Sequence, residues 1–214
     1  MHTSFFDDRE EKYRPPADAK LNRPEDVAQA VVFALSQRPR DEGIPILIRV
    51  ARTHRDPEVR KQAVFWLGQT QSERAVTLLE DILKNSNDKE IKDKALFSLS
   101  QQRGFGNPEW IMNIALDPKE SIEMRKQALF WAGQTGASTE SFASLYDKMS
   151  DFEIKEQLIF VLSQRGRDAK AIDKLMDIAK NDRDKELRGK AVFWLGQSRD
   201  PRALKYLEEL ISKP

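Results

Sequence analysis

Apolar residues along this chain cluster at helical spacing, and the clusters themselves recur. From Asp56 to Gln69, residues Val59, Ala63, Trp66 and Leu67 fall on one side of a helix in which successive residues turn by about 100°. A second kind of amphipathic run precedes each such stretch, as in Ala75, Val76, Leu78, Leu79, Ile82 and Leu83. These runs predict helices at Gly43–Thr53, Glu73–Asn85, Pro108–Leu116, Thr139–Met149, Ala169–Lys180 and Pro201–Ser212. The alternating helices open at Asp56, Asp88, Ser121, Asp151 and Asp184, with Pro24 in that place in the first copy. Asp and Ser are good N-caps, and Pro57 suits a first helical position, where its missing N–H has no partner to lose. Two positions on stand Asp26, Glu58, Glu90, Glu123, Glu153 and Glu186, favoured by the positive end of the helix dipole. Six carboxylates in one register are helix-start chemistry before they are general acids. Polar links such as Ser86-Asn87-Asp88 join the pairs, and no segment reads as a strand.

The register is fixed by a six-residue motif, Val64-Phe65-Trp66-Leu67-Gly68-Gln69, whose variants place Phe at 33, 65, 97, 130, 160 and 193. The intervals are 32, 32, 33, 30 and 33 residues, the mark of a stacked-repeat protein whose core grows along a line. Copies two, four and six carry Trp66, Trp131 and Trp194; copies one, three and five carry Ser-Gln followed by Arg38, Arg103 or Arg165. This double period fits a two-repeat block copied three times. It also predicts that each Trp faces a small residue, Ala34, Ser98 or Val161, across an interface. Two domains of unequal kind are expected: a non-repeat segment 1–22 with Pro15-Pro16, extended or disordered, and a repeat array over 23–214. Arg103-Gly104-Phe105-Gly106-Asn107 reads as an insertion that reshapes one turn.

Asp56-Pro57-Glu58-Val59-Arg60 with Ala63, Leu67 and Gly68, and Asp200-Pro201-Arg202-Ala203-Leu204 near the end, resembles the short HEAT-like repeat shared with phycobilisome lyase-type proteins. The resemblance spans roughly residues 22–212. It implies an all-α fold, a right-handed α-solenoid of about six HEAT-like helix-turn-helix repeats, with the second helix of each repeat on the concave side. Tetratricopeptide arrays have a similar period but separate the Trp and Leu that are contiguous here. The resemblance also implies that Arg60, Lys92, Arg125, Lys155 and Arg188 bridge to the capping Asp of a neighbouring repeat.

Composition narrows the chemistry. With 36 basic and 35 acidic residues the net charge is +1, which argues against a chain-wide nucleic-acid footprint. There is no Cys, so no disulfide, thiol nucleophile or thiolate metal site. His2 and His54 are the only histidines, one in the tail and one beside a turn, so no His-based triad or multi-His metal site is expected. No phosphate-binding glycine motif occurs. No catalytic residue, metal or cofactor is therefore expected. No run reaches the roughly 18 apolar residues of a membrane helix, and the first residues lack a signal's basic and apolar regions. The cytoplasm is the default location.

The motif leaves one face to explain. Phe65 projects roughly 145° from the apolar cluster, toward Lys61 and Gly68. Phe33, Phe65, Phe97, Phe130, Phe160 and Phe193 then either line the concave groove or wedge sideways between adjacent helices as core. Gln37, Gln69, Gln101, Gln134, Gln164 and Gln197 follow at i+4; they either offer amides to a ligand or cap helix ends. The flanking positions Gln29, Lys61, Asp93, Lys126, Glu156 and Gly189 vary. The first alternative makes the chain a non-catalytic scaffold for a protein or peptide. The family resemblance alone adds a lyase-like or chaperone-like role toward a tetrapyrrole protein. In the last helix Leu204, Leu207, Leu210 and Ile211 are expected to bury one side, with Lys205, Glu208 and Glu209 as a polar cap, or else to support end-to-end self-association.

Overall fold

The computed structural model describes residues 24–102 and 108–212, and every regular element among them is α-helical. The expected segment 1–22 and the 103–107 insertion lie outside these residues. One row of helices comprises α1 (Pro24–Ser36), α3 (Pro57–Gly68), α5 (Lys89–Ser100), α7 (Ile122–Gln134), α9 (Phe152–Ser163) and α11 (Lys185–Gln197). The other comprises α2 (Arg40–Thr53), α4 (Glu73–Asn85), α6 (Pro108–Leu116), α8 (Thr139–Lys148), α10 (Ala169–Asn181) and α12 (Pro201–Ser212). The helices pack in sequence against the other row, and the first row packs neighbour to neighbour along its whole length, giving an α-solenoid. The first row is packed more closely than the second; the two are the inner and outer rows.

The helices start where side-chain chemistry says they should. Asp56 accepts a hydrogen bond from the Glu58 N–H, Asp88 from Ile91, Ser121 from Met124, Asp151 from Ile154 and Asp184 from Glu186. Each cap satisfies an N–H that the helix cannot, for about 1 kcal/mol. Helix α2 begins one turn earlier than the sequence suggests, so Pro45 sits inside it.

The core lies between the rows. In α3 it takes Val59, Ala63, Val64, Leu67 and Gly68, and in α4 Ala75, Leu78, Leu79, Ile82 and Leu83. Burial of each large side chain contributes about 1.5–3 kcal/mol. The buried arc of α3 is wider than one apolar stripe because an inner helix touches an outer helix and two inner neighbours. Gly68, expected on the open face, is therefore buried, and Trp66, expected in the core, lies half-buried at the edge of the arc.

Two further expectations are corrected. The small residues do not oppose the Trp rings: Ser98 meets Gly68, where an added Cβ would come within 2.6 Å of the Ser98 Cβ, and Val161 meets Gly133 at 3.0 Å. Gly68 stands two positions on from Trp66, about 200° round the helix, so they occupy opposite edges of α3 and face different neighbours. In α12 the apolar side is buried only in part, with Leu207 half-buried near Gly196. Ala203 is enclosed, but Leu204 is 62% exposed, Leu210 is exposed and Ile211 is 86% exposed.

Candidate functional site

The Phe of each inner helix sits one position before the edge residue, near the middle of the arc that the core does not use. Five of the six rings are half-buried, and Phe193 is 56% exposed. They are neither free-standing nor core. Trp66 lies between Phe33 of the preceding helix and its own Phe65, each with its centroid 5.2 Å away. Trp131 repeats this with Phe97 at 5.4 Å and Phe130 at 4.9 Å, and Trp194 with Phe160 at 5.6 Å and Phe193 at 5.1 Å. Most of these pairs are edge-to-face, the arrangement the ring quadrupoles favour. Phe65 and Phe97 stack at 6.3 Å and join the first two triads into one ribbon.

The Gln column is separate from the ribbon in its bonding. Gln69, Gln101 and Gln164 are the C-cap residues of α3, α5 and α9, and their backbone N–H groups bond the last carbonyls. The amides of Gln37, Gln101 and Gln164 donate to the preceding Ser hydroxyls. Gln134 and Gln197 close α7 and α11 and point outward. The residue after this Gln does the bridging. The Gln102 amide donates to the Leu67 and Gly68 carbonyls at 3.0 and 2.8 Å, and the Arg165 guanidinium donates to the Gly133 and Ala137 carbonyls. The sequence signal was the polar residue following Ser-Gln in odd copies.

Beside the rings the inner face carries two open grooves. One, of about 440 Å³, is floored by Phe65 and Trp66 and edged by Glu58, Lys61, Gln62 and Lys94. The other, of about 770 Å³, is floored by Phe160, Phe193 and Trp194 and edged by Glu156, Glu186, Lys126 and Lys190. Gly189 opens the second groove, since nothing lies within 4 Å of where its Cβ would stand. Ion pairs cross between repeats on this face, Lys61 to Glu90, Lys126 to Glu153 at 3.2 Å and Lys190 to Glu156, and Lys61 also pairs with Glu58 of its own helix. The Lys94 ammonium stands 5.8 Å from the Phe65 centroid.

The implied Arg–Asp ladder is only partly present. Arg60 does reach the capping Asp88, at 3.4 Å, and it also donates to the His54 carbonyl at 2.9 Å. Lys92 and Lys155 reach forward to carboxylates that are not helix N-caps, Glu120 and Asp182. Arg125 and Arg188 bond backbone carbonyls, those of Ala115 and Asp182. The even copies thus use the guanidinium fork to tie down the end of their own outer helix, and the odd copies use a point charge to reach the next repeat.

A crevice of about 540 Å³ at the other end of the helices holds Tyr146, Asp182, Lys155 and Lys174. Burial pushes the Asp182 carboxyl up, but hydrogen bonds from Lys155, the Asp184 N–H and Tyr146 outweigh it and hold it below the usual range. Burial and the Asp182 bond push the Tyr146 phenol upward. Lys174 is bound to Asp147 and Asp177. These groups satisfy one another, so the cluster is a latch between repeats and offers no free acid, base or nucleophile. Among the described residues no cluster of metal-ligating side chains occurs, and no helix is long and apolar enough to cross a membrane.

Comparison with known proteins fits this architecture. The family model for HEAT repeats matches residues 19–100 and 139–214. Similar folds include human deoxyhypusine hydroxylase in complex with glycerol, 16% identical, with 88% of this chain and 74% of that one covered at a TM-score of 0.43. The complex of CpcE and CpcF of phycocyanin lyase from Nostoc sp. is also 16% identical, covering 86% and 80%, at a TM-score of 0.47. No curated protein sequence matches the chain. At such identities the likeness is one of fold alone.

Proposed function

The chain belongs to the HEAT repeat family, and from that premise we propose that it is a non-catalytic scaffold holding a protein or peptide segment against the inner face of α1, α3, α5, α7, α9 and α11. One observation carries the reading: an aromatic ribbon with a ring in every repeat is left half-open beside two grooves. Aromatic side chains supply large contact area with little rotamer freedom to lose, and partly open apolar strips are where partners dock. Phe33, Phe65, Phe97, Phe130, Phe160 and Phe193 are the anchors. In this reading Gln69, Gln101, Gln134 and Gln164, four positions on from the rings, supply the hydrogen-bonding groups.

Selection of a random-peptide display library on the immobilised full chain tests this. The wild type enriches a set of related peptides, whereas Gly189→Trp, which plugs the larger groove, loses them. The Gly189 site has space, so this variant keeps its melting temperature. Absence of enrichment, or enrichment indifferent to Gly189→Trp and Phe193→Ala, contradicts the scaffold reading.

A further inference from the structure

We infer that the two ends of the solenoid pair between chains, α12 of one copy docking on α1 of a second copy to complete a repeat. Each outer helix packs most closely on the inner helix that follows it: α2 on α3, α4 on α5, α6 on α7, α8 on α9 and α10 on α11. Among the described residues the array opens on an inner helix, α1, and closes on an outer one, α12. Each therefore lacks the neighbour that its place in the unit supplies elsewhere, and together they are the two halves of one repeat.

Exposed apolar side chains mark both halves. Val27 and Val31 of α1 are 46% and 50% exposed. Their counterparts, placed alike before the Phe, are Ile91 and Ala95 in α5 and Ile154 and Leu158 in α9, and all four are buried. On α12, Leu210 and Ile211 take the places of Ile82 and Leu83 in α4, which are buried where these are exposed. Leu83 and Ile91 stand at the adjoining ends of α4 and α5, so the same register sets Ile211 beside Val27 of the second copy.

The glycine edges point to a second copy rather than to any apolar partner. Gly68 meets Ser98 and Gly133 meets Val161, in each case the residue after the Phe of the following odd copy. Gly196 holds the same position in α11 and is exposed, with the Leu207 Cδ1 4.0 Å from where its Cβ would stand. Its matching residue is Ala34 of α1, which is exposed as well. Five positions after the Phe, Gln102 and Arg165 donate across these edges to the Gly68 and Gly133 carbonyls. Arg38 holds that position in the first copy, paired at the surface with Glu42 at 3.1 Å, and is placed to reach the Gly196 carbonyl of the other chain. Phe193 then approaches Phe33 as Phe65 stacks on Phe97, which continues the aromatic ribbon across the junction. Gly189 stands where Lys61 and Lys126 pair with the next repeat, so the junction lacks that ion pair, a small loss at a solvent-facing edge. Unlike surfaces meet, so copies add head to tail and do not stop at a two-fold pair.

Sedimentation velocity of the full chain over a concentration series, with oxidation of single-cysteine variants, tests this. The wild-type sedimentation coefficient rises with concentration and passes that of a dimer. Val27→Lys and Ile211→Lys each raise the concentration of half-association at least about tenfold, the loss expected when a charge replaces one apolar side chain at an interface. Both side chains face solvent in the single chain, so the dilute variants keep the wild-type melting temperature. The chain has no cysteine of its own, which makes the cross-link specific. Val27→Cys mixed with Ile211→Cys forms a disulfide-linked dimer faster than either variant alone. A wild type that stays monomeric at every concentration overturns the inference; if Val27→Lys then melts lower, the α1 surface is covered by residues 1–23 of the same chain. Cross-linking as fast in either cysteine variant alone overturns it too, because like surfaces would then be meeting.

Discussion

Gly68→Ala sets two effects of opposite sign against each other, and the structure decides between them. Replacing glycine by alanine inside a helix gains up to about 1 kcal/mol of backbone propensity, and less here because Gly68 is the last residue of α3. Against that gain, the new Cβ would lie 2.6 Å from the Ser98 Cβ and 2.8 Å from the Ser98 Cα. Carbon atoms need about 3.5 Å, so α3 and α5 must part by roughly 1 Å. They would part where Val64, Leu67, Ala95 and Leu99 are all essentially unexposed. Overpacking of a close-packed core costs about 1–3 kcal/mol, so the substitution destabilises by about 1–2 kcal/mol net. For a chain of this size that lowers the melting temperature by about 2–8 °C. Gly189→Ala is the control: it is mid-helix with open space around it, and gains up to about 1 kcal/mol. Adding Ser98→Gly to Gly68→Ala restores part of the loss, since it removes the nearest carbon but leaves the Cα. Urea unfolding followed by far-UV circular dichroism measures all three. If Gly68→Ala stabilises as much as Gly189→Ala, the close approach of α3 and α5 is refuted.

Two carboxylates give pH effects of opposite sign. The Asp182 carboxyl is lowered in the folded protein, so its stabilisation is complete above its unfolded value near 4 and is lost as pH falls through the lower folded value; Lys155→Met diminishes this acid-side loss in pH-dependent urea titrations. The Asp93 carboxyl is raised, so folding is penalised as pH rises past about 4; Asp93→Asn melts higher than wild type at neutral pH, and the difference closes on acidification. Gln102→Ala leaves the Leu67 and Gly68 carbonyls without their amide partner at a buried site and costs about 1–3 kcal/mol by urea titration. Leu204→Lys and Ile211→Lys each change stability by no more than about 0.5 kcal/mol, because both side chains already face solvent; a larger loss places α12 against something.

The fold was legible because its signals are local and repeated. An Asp or Ser cap, an acidic second position and an apolar stripe recur often enough to mark both helices of each unit, and α4, α6 and α12 have the bounds the sequence predicts. What failed needed knowledge of the neighbours. A lone helical wheel assigns one buried side, but α3 is covered over about half its circumference, from Val59 round to Gly68. That width moved Gly68 inside and left Trp66 at the margin. The basic column failed similarly: its spacing was read correctly, but whether Arg125 meets a carboxylate or a carbonyl depends on where the preceding outer helix ends. The Gln column was legible as helix-end chemistry in copies where the cap is seen, while the bridging Gln102 lies one residue beyond the motif.

The two alternatives for the Phe column prove not to exclude each other, and the double period explains why. Even-numbered copies put a glycine on the edge facing the next repeat and a Trp on the edge facing the previous one. Across the glycine edges, at α3–α5 and α7–α9, the backbones come together, as the Gly68–Ser98 and Gly133–Val161 approaches require. Across the other edges, the Trp ring fills the gap and packs on the Phe of the earlier repeat. A ring inserted between two helices at the margin of the buried arc must leave one side uncovered, because the outer row closes only the opposite side. Each Phe is therefore half core through its Trp and half surface through its own position near the centre of the open arc. Phe193, at the last inner helix, has no following inner helix among the described residues beside it, and it is the most exposed ring of the six. The same packing that spaces the repeats thus produces the aromatic ribbon, and no separate selection of exposed rings is needed to account for its regularity.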